Sequence, residues 1–289
     1  MKTTFATLTS SVALWTIFAS SAGALAVPPL EKRIIGGFDV PDNSASFAVY
    51  LEFTKPFGRG FCGGTIISPK HIVTAAQCVL NDMNQVYRVN DTTIGYGNVY
   101  RSKQKQIRPT KITVHPKFVP STDSSHNLND VAIIEVEGLD WTSSIREISI
   151  YAGAIPAGQS IIALGWGSTV ASSDSNEWPD KLKGAKLQVG DAAGCQVFDT
   201  EYKSSDGPRI CTLNKYNPGT ATCRGDSGTG ALLAVNNKLY LAGLGSEGGR
   251  LNDPTCGTAD GYSLFTHVSP MMDFITKTTG YTAEYLTRA

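Results

Sequence analysis

Past Phe47 the chain alternates short apolar runs with clusters of glycine, asparagine, aspartate and serine. FAVYLEF, GTIISP, HIVTAA, VAIIEVE, SIIALGWG, KLQVG, GALLAV and LYLAGLG are rich in β-branched and aromatic residues and have the length of strands. No long amphipathic helix lies between them. The exception is SPMMDFITKTTG, Ser269 to Gly280. Its serine start, apolar Met272, Phe274 and Ile275, late Lys277 and closing glycine predict a short C-terminal helix. The pattern predicts an all-β fold built as barrels.

The first residues break this pattern. An early lysine, an apolar stretch from Val12 to Phe18 and small residues at Ala22-Gly23-Ala24 and Ala24-Leu25-Ala26 predict a secretory signal over 1–26, cleaved after 24 or 26. The apolar segment is too short to span a bilayer, and no later one is long enough. VPPLEKR, residues 27–33, reads as an exposed activation propeptide ending in a dibasic site, with the mature domain occupying 34–289. The expectation is a secreted, extracellular protein.

Composition narrows the class. With 41% hydrophobic and 17% charged residues the chain is globular rather than disordered, and its zero net charge gives no general reason to expect nucleic acid. The run RSKQKQIRPTK, Arg101 to Lys111, holds five cations and no acid. It reads either as a solvated strand and loop or as a site for an anionic partner such as a sulfated glycan. Six cysteines in an exported chain imply three disulfides, with connectivity left open by spacing alone. No CxxC pair or His/Cys cluster suggests a metal, and no cofactor is implied. Asn90-Asp91-Thr92 is a glycosylation sequon.

CRGDSGTG, Cys223 to Gly230, carries the clearest chemistry. A serine between glycines lets backbone N–H groups approach a developing oxyanion, and Gly225 and Ser227 are the natural donors. Alone, GDSG could be an ordinary turn. RIIGG, CGGTIISPKHIVTAAQC, LNDVAIIEV, LGWGST and CRGDSG, in this order and rough spacing, resemble the trypsin/chymotrypsin-like serine proteases over Ile34 to Thr279. The resemblance implies two packed six-stranded antiparallel β-barrels with a cleft between them, a monomer, and disulfides Cys62–Cys78, Cys195–Cys211 and Cys223–Cys256. It also implies Ser227 as nucleophile, Asp130 as the carboxylate that orients the base, and an ion pair between Asp226 and the ammonium that cleavage creates on Ile34.

The same resemblance implies a histidine before the cysteine of TAAQC, where Gln77 stands. A serine hydroxyl needs a neighbour that takes its proton near neutral pH, and a carboxamide has no useful basicity. Four other histidines exist. His71 lies on the strand leading to Gln77, His115 at a surface position, and His267 before the C-terminal helix. His126, in a loop that overhangs the cleft in the resembled family, is the best-placed substitute base.

The resemblance places Ala221 at the base of the specificity pocket, with Gly248 and Ser263 on its walls. Without an aspartate at that base, a small or apolar side chain suits the pocket better than a basic one. Glu247 stands where the family has tryptophan, either as a solvated carboxylate or as one that favours a basic segment. The leading expectation is a catalytically impaired protease homologue that acts by binding a protein or glycan partner, with a protein or peptide ligand in the cleft. The alternative is an active endopeptidase with a non-standard base.

Overall fold

Alternate residues of the strands serve different cores, and this period of two arranges the whole domain. A computed structural model of the chain describes residues 35–56, 58–122, 125–140, 145–170, 178–251, 253 and 255–288. The expected signal segment 1–26, the propeptide 27–33 and Ile34 lie outside them. The strands are β1 (Phe38–Asp39), β2 (Ala48–Lys55), β3 (Gly58–Ser68), β4 (His71–Thr74), β5 (Thr92–Tyr96), β6 (Lys105–Ile107) and β7 (Lys111–Val114). They continue with β8 (Ala132–Glu135), β9 (Ser160–Gly165), β10 (Lys183–Gln188), β11 (Arg209–Leu213), β12 (Gly230–Val235), β13 (Lys238–Gly249) and β14 (Tyr262–His267).

They form two antiparallel sheets, ordered β6-β5-β2-β3-β4-β8-β7 and β1-β10-β9-β12-β13-β14-β11. Each sheet counts seven strands where the resemblance implied six. The second sheet gains the two-residue β1 at its edge, while three-residue β6 returns from β5 at the edge of the first.

In β2, Val49, Leu51 and Phe53 face a core made by the first sheet alone, while Ala48 and Tyr50 face a core shared with the second. In β8, Ala132 and Ile134 join the first core and Ile133 the shared one. In β12, Ala231 and Leu233 fill the core of the second sheet and Leu232 the shared one. A register slip of one residue would therefore exchange the cores that each strand fills.

The predicted C-terminal helix forms. A 3-10 turn, Ser269–Met271, leads into a helix, Met272–Thr279, closed by Gly280 at φ 74°. Met271 and Ile275 are buried in the shared core. A further short helix, Ala283–Thr287, adds Leu286 to that core and starts at Thr282, whose hydroxyl accepts from the Tyr285 N–H. The three disulfides pair as the resemblance implied: Cys62–Cys78, Cys195–Cys211 and Cys223–Cys256. No helix among the described residues is long and apolar enough to cross a membrane.

Candidate active site

Gln77 lies in the 3-10 turn Ala76–Val79 after β4, Asp130 two residues before β8, and Ser227 in the turn before β12. Two links fix their relative positions. The Ser227 carbonyl accepts from the Gly63 N–H of β3 at 2.8 Å, and Cys62–Cys78 ties β3 to the turn that carries Gln77.

Asp130 is buried, with 1% of its surface exposed. Oδ1 accepts from the Gln77 backbone N–H at 2.9 Å, and Oδ2 accepts from Gln77 Nε2 at 2.9 Å and Ser246 Oγ at 2.6 Å. Burial holds its carboxyl above the ordinary carboxylate range, against the pull of the Ser246 and Gln77 donors. The second amide proton of Gln77 goes to the Ser246 carbonyl at 2.6 Å. Both partners are acceptors, so the NH2 must face them. Oε1 is left over, with no hydrogen bond among the described residues, and neither has the Ser227 hydroxyl. The carboxamide thus reproduces the donor half of a base and lacks its acceptor nitrogen.

The turn expected to supply oxyanion donors leaves two N–H groups free among the described residues. The Asp226 N–H bonds the Cys223 carbonyl at 3.0 Å and the Gly228 N–H bonds the Gly245 carbonyl at 2.7 Å. The Gly225 and Ser227 N–H groups, which alternate with these two, bond nothing among the described residues, as an anion site requires. Gly225 sits at φ 88°, and a Cβ there would stand 2.2 Å from Trp178 Cζ3. Only glycine meets both demands.

Behind this loop Asp226 is buried, its Oδ1 accepting from the Gly167 N–H and its Oδ2 from the Cys223 N–H, each at 2.8 Å. A Cβ on Gly167 would lie 2.4 Å from Oδ1, so that approach also needs glycine. Burial pushes the Asp226 carboxyl up to about 7, the two backbone donors opposing it. The implied partner, Ile34, lies outside the described residues. Its neighbour Ile35 docks here, its carbonyl accepting from the Ala221 N–H at 3.2 Å.

The sequence that folds into this arrangement matches known proteins. The Trypsin domain family matches residues 34–275. The chain belongs to the trypsin family. Among its relatives are CLIP domain-containing serine protease B4 of Anopheles gambiae, 30% identical over 85% of this chain and 70% of that protein, and Trypsin epsilon of Drosophila erecta, 29% identical over 79% and 83%. Phenoloxidase-activating factor 3 of Holotrichia diomphalia is 28% identical over 85% of this chain and 72% of its own length.

In this trypsin-family chain the other histidines are engaged elsewhere. His71 Nδ1 meets Ser68 Oγ at 2.8 Å, His115 Nδ1 accepts from the Lys117 N–H at 3.2 Å, and His267 Nδ1 bonds the Gly207 carbonyl at 3.0 Å. His126 uses both ring nitrogens, Nδ1 on Glu247 Oε2 at 2.6 Å and Nε2 on the Phe198 carbonyl at 2.9 Å. None of these bonds reaches Ser227 or Asp130.

Beside Ser227 opens a cavity of about 280 Å3, walled by Thr222, Ser246, Gly248, Tyr262 and the Cys223–Cys256 disulfide. Of the three residues expected to form the pocket, Gly248 lines it. Ala221 and Ser263 are buried in its wall, where the Ser263 hydroxyl accepts from Thr222 Oγ1 at 3.0 Å, and their neighbours Thr222 and Tyr262 supply the lining. The carboxyls that reach the cavity, Asp226 and Glu247, are both committed, the first to backbone donors and the second to His126 and Asn127. A larger cavity, about 710 Å3 between Phe47, Ile145, Glu147, Lys238 and Arg288, contains none of the residues matched to catalysis.

Sequence reasoning missed Ser246, Asn127 and Trp178. Ser246 lies 116 positions from the Asp130 it bonds, a pairing that only the fold creates. In the basic run, Arg101 donates to Tyr50 Oη at 3.0 Å and to the Trp178 carbonyl at 3.1 Å, Lys105 pairs with Asp140 at 3.0 Å, and Arg108 donates to the carbonyl of exposed Asn90.

Proposed function

We propose that the mature chain is a secreted trypsin-family homologue with little or no proteolytic activity, acting by holding a protein or peptide segment in its cleft. The observation that carries this reading is the use of both Gln77 amide protons on Asp130 and the Ser246 carbonyl, beside a Ser227 hydroxyl with no base. In a serine protease, loss of the histidine alone lowers turnover by about a millionfold. The oxyanion hole and binding still supply roughly 10³–10⁴-fold over water. Secretion rests on the N-terminal sequence, and activation on Lys32-Arg33 followed by Ile34. The basic run is the weaker candidate for a binding surface, since Arg101, Lys105 and Arg108 already have partners within the protein.

A second reading, an endopeptidase with a non-standard base, is favoured by the free N–H groups of Gly225 and Ser227. Peptide-library hydrolysis by the chain beginning at Ile34 separates the two, with Gln77→His and Ser227→Ala measured alongside. The proposal expects the wild type to be as silent as Ser227→Ala, while Gln77→His cuts after small or apolar residues. Cleavage by the wild type that Ser227→Ala abolishes would overturn it.

A further inference from the structure

Glu247 stands on the wall shared by the 280 Å3 cavity and a second one of about 570 Å3 lined by His126, Phe198, Asp199, Arg250 and Tyr262. Its side chain is fixed from two sides, Oε1 accepting from the Asn127 N–H at 2.6 Å and Oε2 meeting His126 Nδ1 at 2.6 Å. The other ring nitrogen, Nε2, faces the Phe198 carbonyl at 2.9 Å. Both nitrogens therefore point at acceptors. A neutral imidazole carries one N–H, so only the imidazolium satisfies both.

Tyr262 completes the enclosure. Its ring meets that of His126 edge-on, with centroids 5.8 Å apart at 72°, and stacks on Phe198 at 4.5 Å. A cation belonging to the chain itself thus sits between a carboxylate, a carbonyl and aromatic rings, the surroundings that also hold a lysine or arginine head group. The neighbouring charges are committed elsewhere. Asp199 pairs with buried Arg209 at 2.7 Å, Arg250 pairs with Asp253 at 3.2 Å, and exposed Glu201 stands 4.0 Å from Arg209. When His126 is neutral, Glu247 is left without a cation.

Resting on the reading that the cleft binds peptides, we propose that this cavity is a subsite for a cationic side chain of the ligand, with His126 as its built-in competitor. Charged His126 fills the box. Neutral His126 can keep only one of its two bonds, and the tautomer protonated on Nε2 keeps the Phe198 carbonyl and leaves Glu247 for an incoming lysine or arginine. The Glu247 hydrogen bond holds His126 above the ordinary imidazole value, against burial, so the exchange takes place on the alkaline side of that value. Tyr262, pushed up to about 12 by burial, stays a neutral phenol throughout.

The test uses the mature chain carrying Ser227→Ala and two labelled peptides that differ only in one residue, arginine or norleucine, with affinities measured at about pH 6 and about pH 9. The arginine peptide is expected to bind about tenfold tighter than its partner at the higher pH, the lower end for a hydrogen bond to a charged group, with the preference lost at the lower pH. His126→Ala should show the preference at both pH values and Glu247→Gln at neither. Equal affinity for both peptides throughout overturns the cation subsite and leaves the cleft reading standing. A preference in the wild type that ignores pH overturns the role of His126. Failure of both peptides to bind removes the cleft reading and this inference together.

Discussion

Asp130 and Asp226 are both buried carboxyls near the turn that carries Ser227, and they are satisfied in opposite ways. Asp130 collects three donors, two from Gln77 and one from the Ser246 hydroxyl. Asp226 has two, both backbone N–H groups, with no cation among the described residues and a carboxyl pushed up to about 7. At Asp130 every donor comes from Gln77 or Ser246. At Asp226 it keeps the arrangement that, by resemblance to its family, a new N-terminal ammonium completes. One network is closed on itself, and on the proposed reading the other awaits the activation cleavage.

The largest expected effect tests the open site. A carboxyl raised in the folded state stabilises the fold fully below its unfolded value near 3.8, and that contribution is lost as pH rises through about 7. For Asp226 in the uncleaved chain the loss is roughly 4 kcal/mol. Chemical denaturation across that window should show it, and Asp226→Asn should flatten the curve by that amount while lowering stability at acid pH. Cleavage after Arg33 should also flatten it. Equal slopes in all three forms would mean that Asp226 does not titrate.

The closed site should respond less. Asp130→Asn offers one acceptor oxygen to three donors, and its own amide protons face two of them, so a loss of about 2 kcal/mol in denaturant unfolding is expected. Gln77→Ala removes two side-chain bonds but leaves Asp130 with its backbone donor and Ser246, for a loss of about 1 kcal/mol. A larger effect from Gln77→Ala than from Asp130→Asn would reverse the order and make Gln77, not the carboxylate, the centre of the network.

Much of the fold was legible because β2, β3, β4, β8, β9, β10, β12 and β13 carry apolar runs bounded by turn residues. The edge strands β6 and β7 escaped because each is short and begins with an exposed lysine. Strands β11 and β14 pair with one another, yet each follows a turn-rich loop that hides its start. At the site, ordered motifs located Ser227, Asp130 and Gln77. The second bond of Gln77 spans 169 positions and the His126–Glu247 contact 121. Nothing local to either residue announces such pairings, so the expectation that His126 could serve as a base had no way to see Glu247.

The two anchors of Gln77 leave from a single nitrogen. A histidine in its place could donate to Asp130 through one ring nitrogen, but the other must stay unprotonated to serve Ser227, and the Ser246 carbonyl would lose its donor. Substitutions at Gln77 and along the strand edge at Ser246 are therefore epistatic, with effects that do not add. On the proposed reading, changes at that edge that serve ligand binding would alter the cost of regaining catalysis without touching Ser227. How readily one substitution restores cleavage is set by the background in which it arises, and a double-mutant cycle between Gln77→His and a strand-edge variant would measure that dependence.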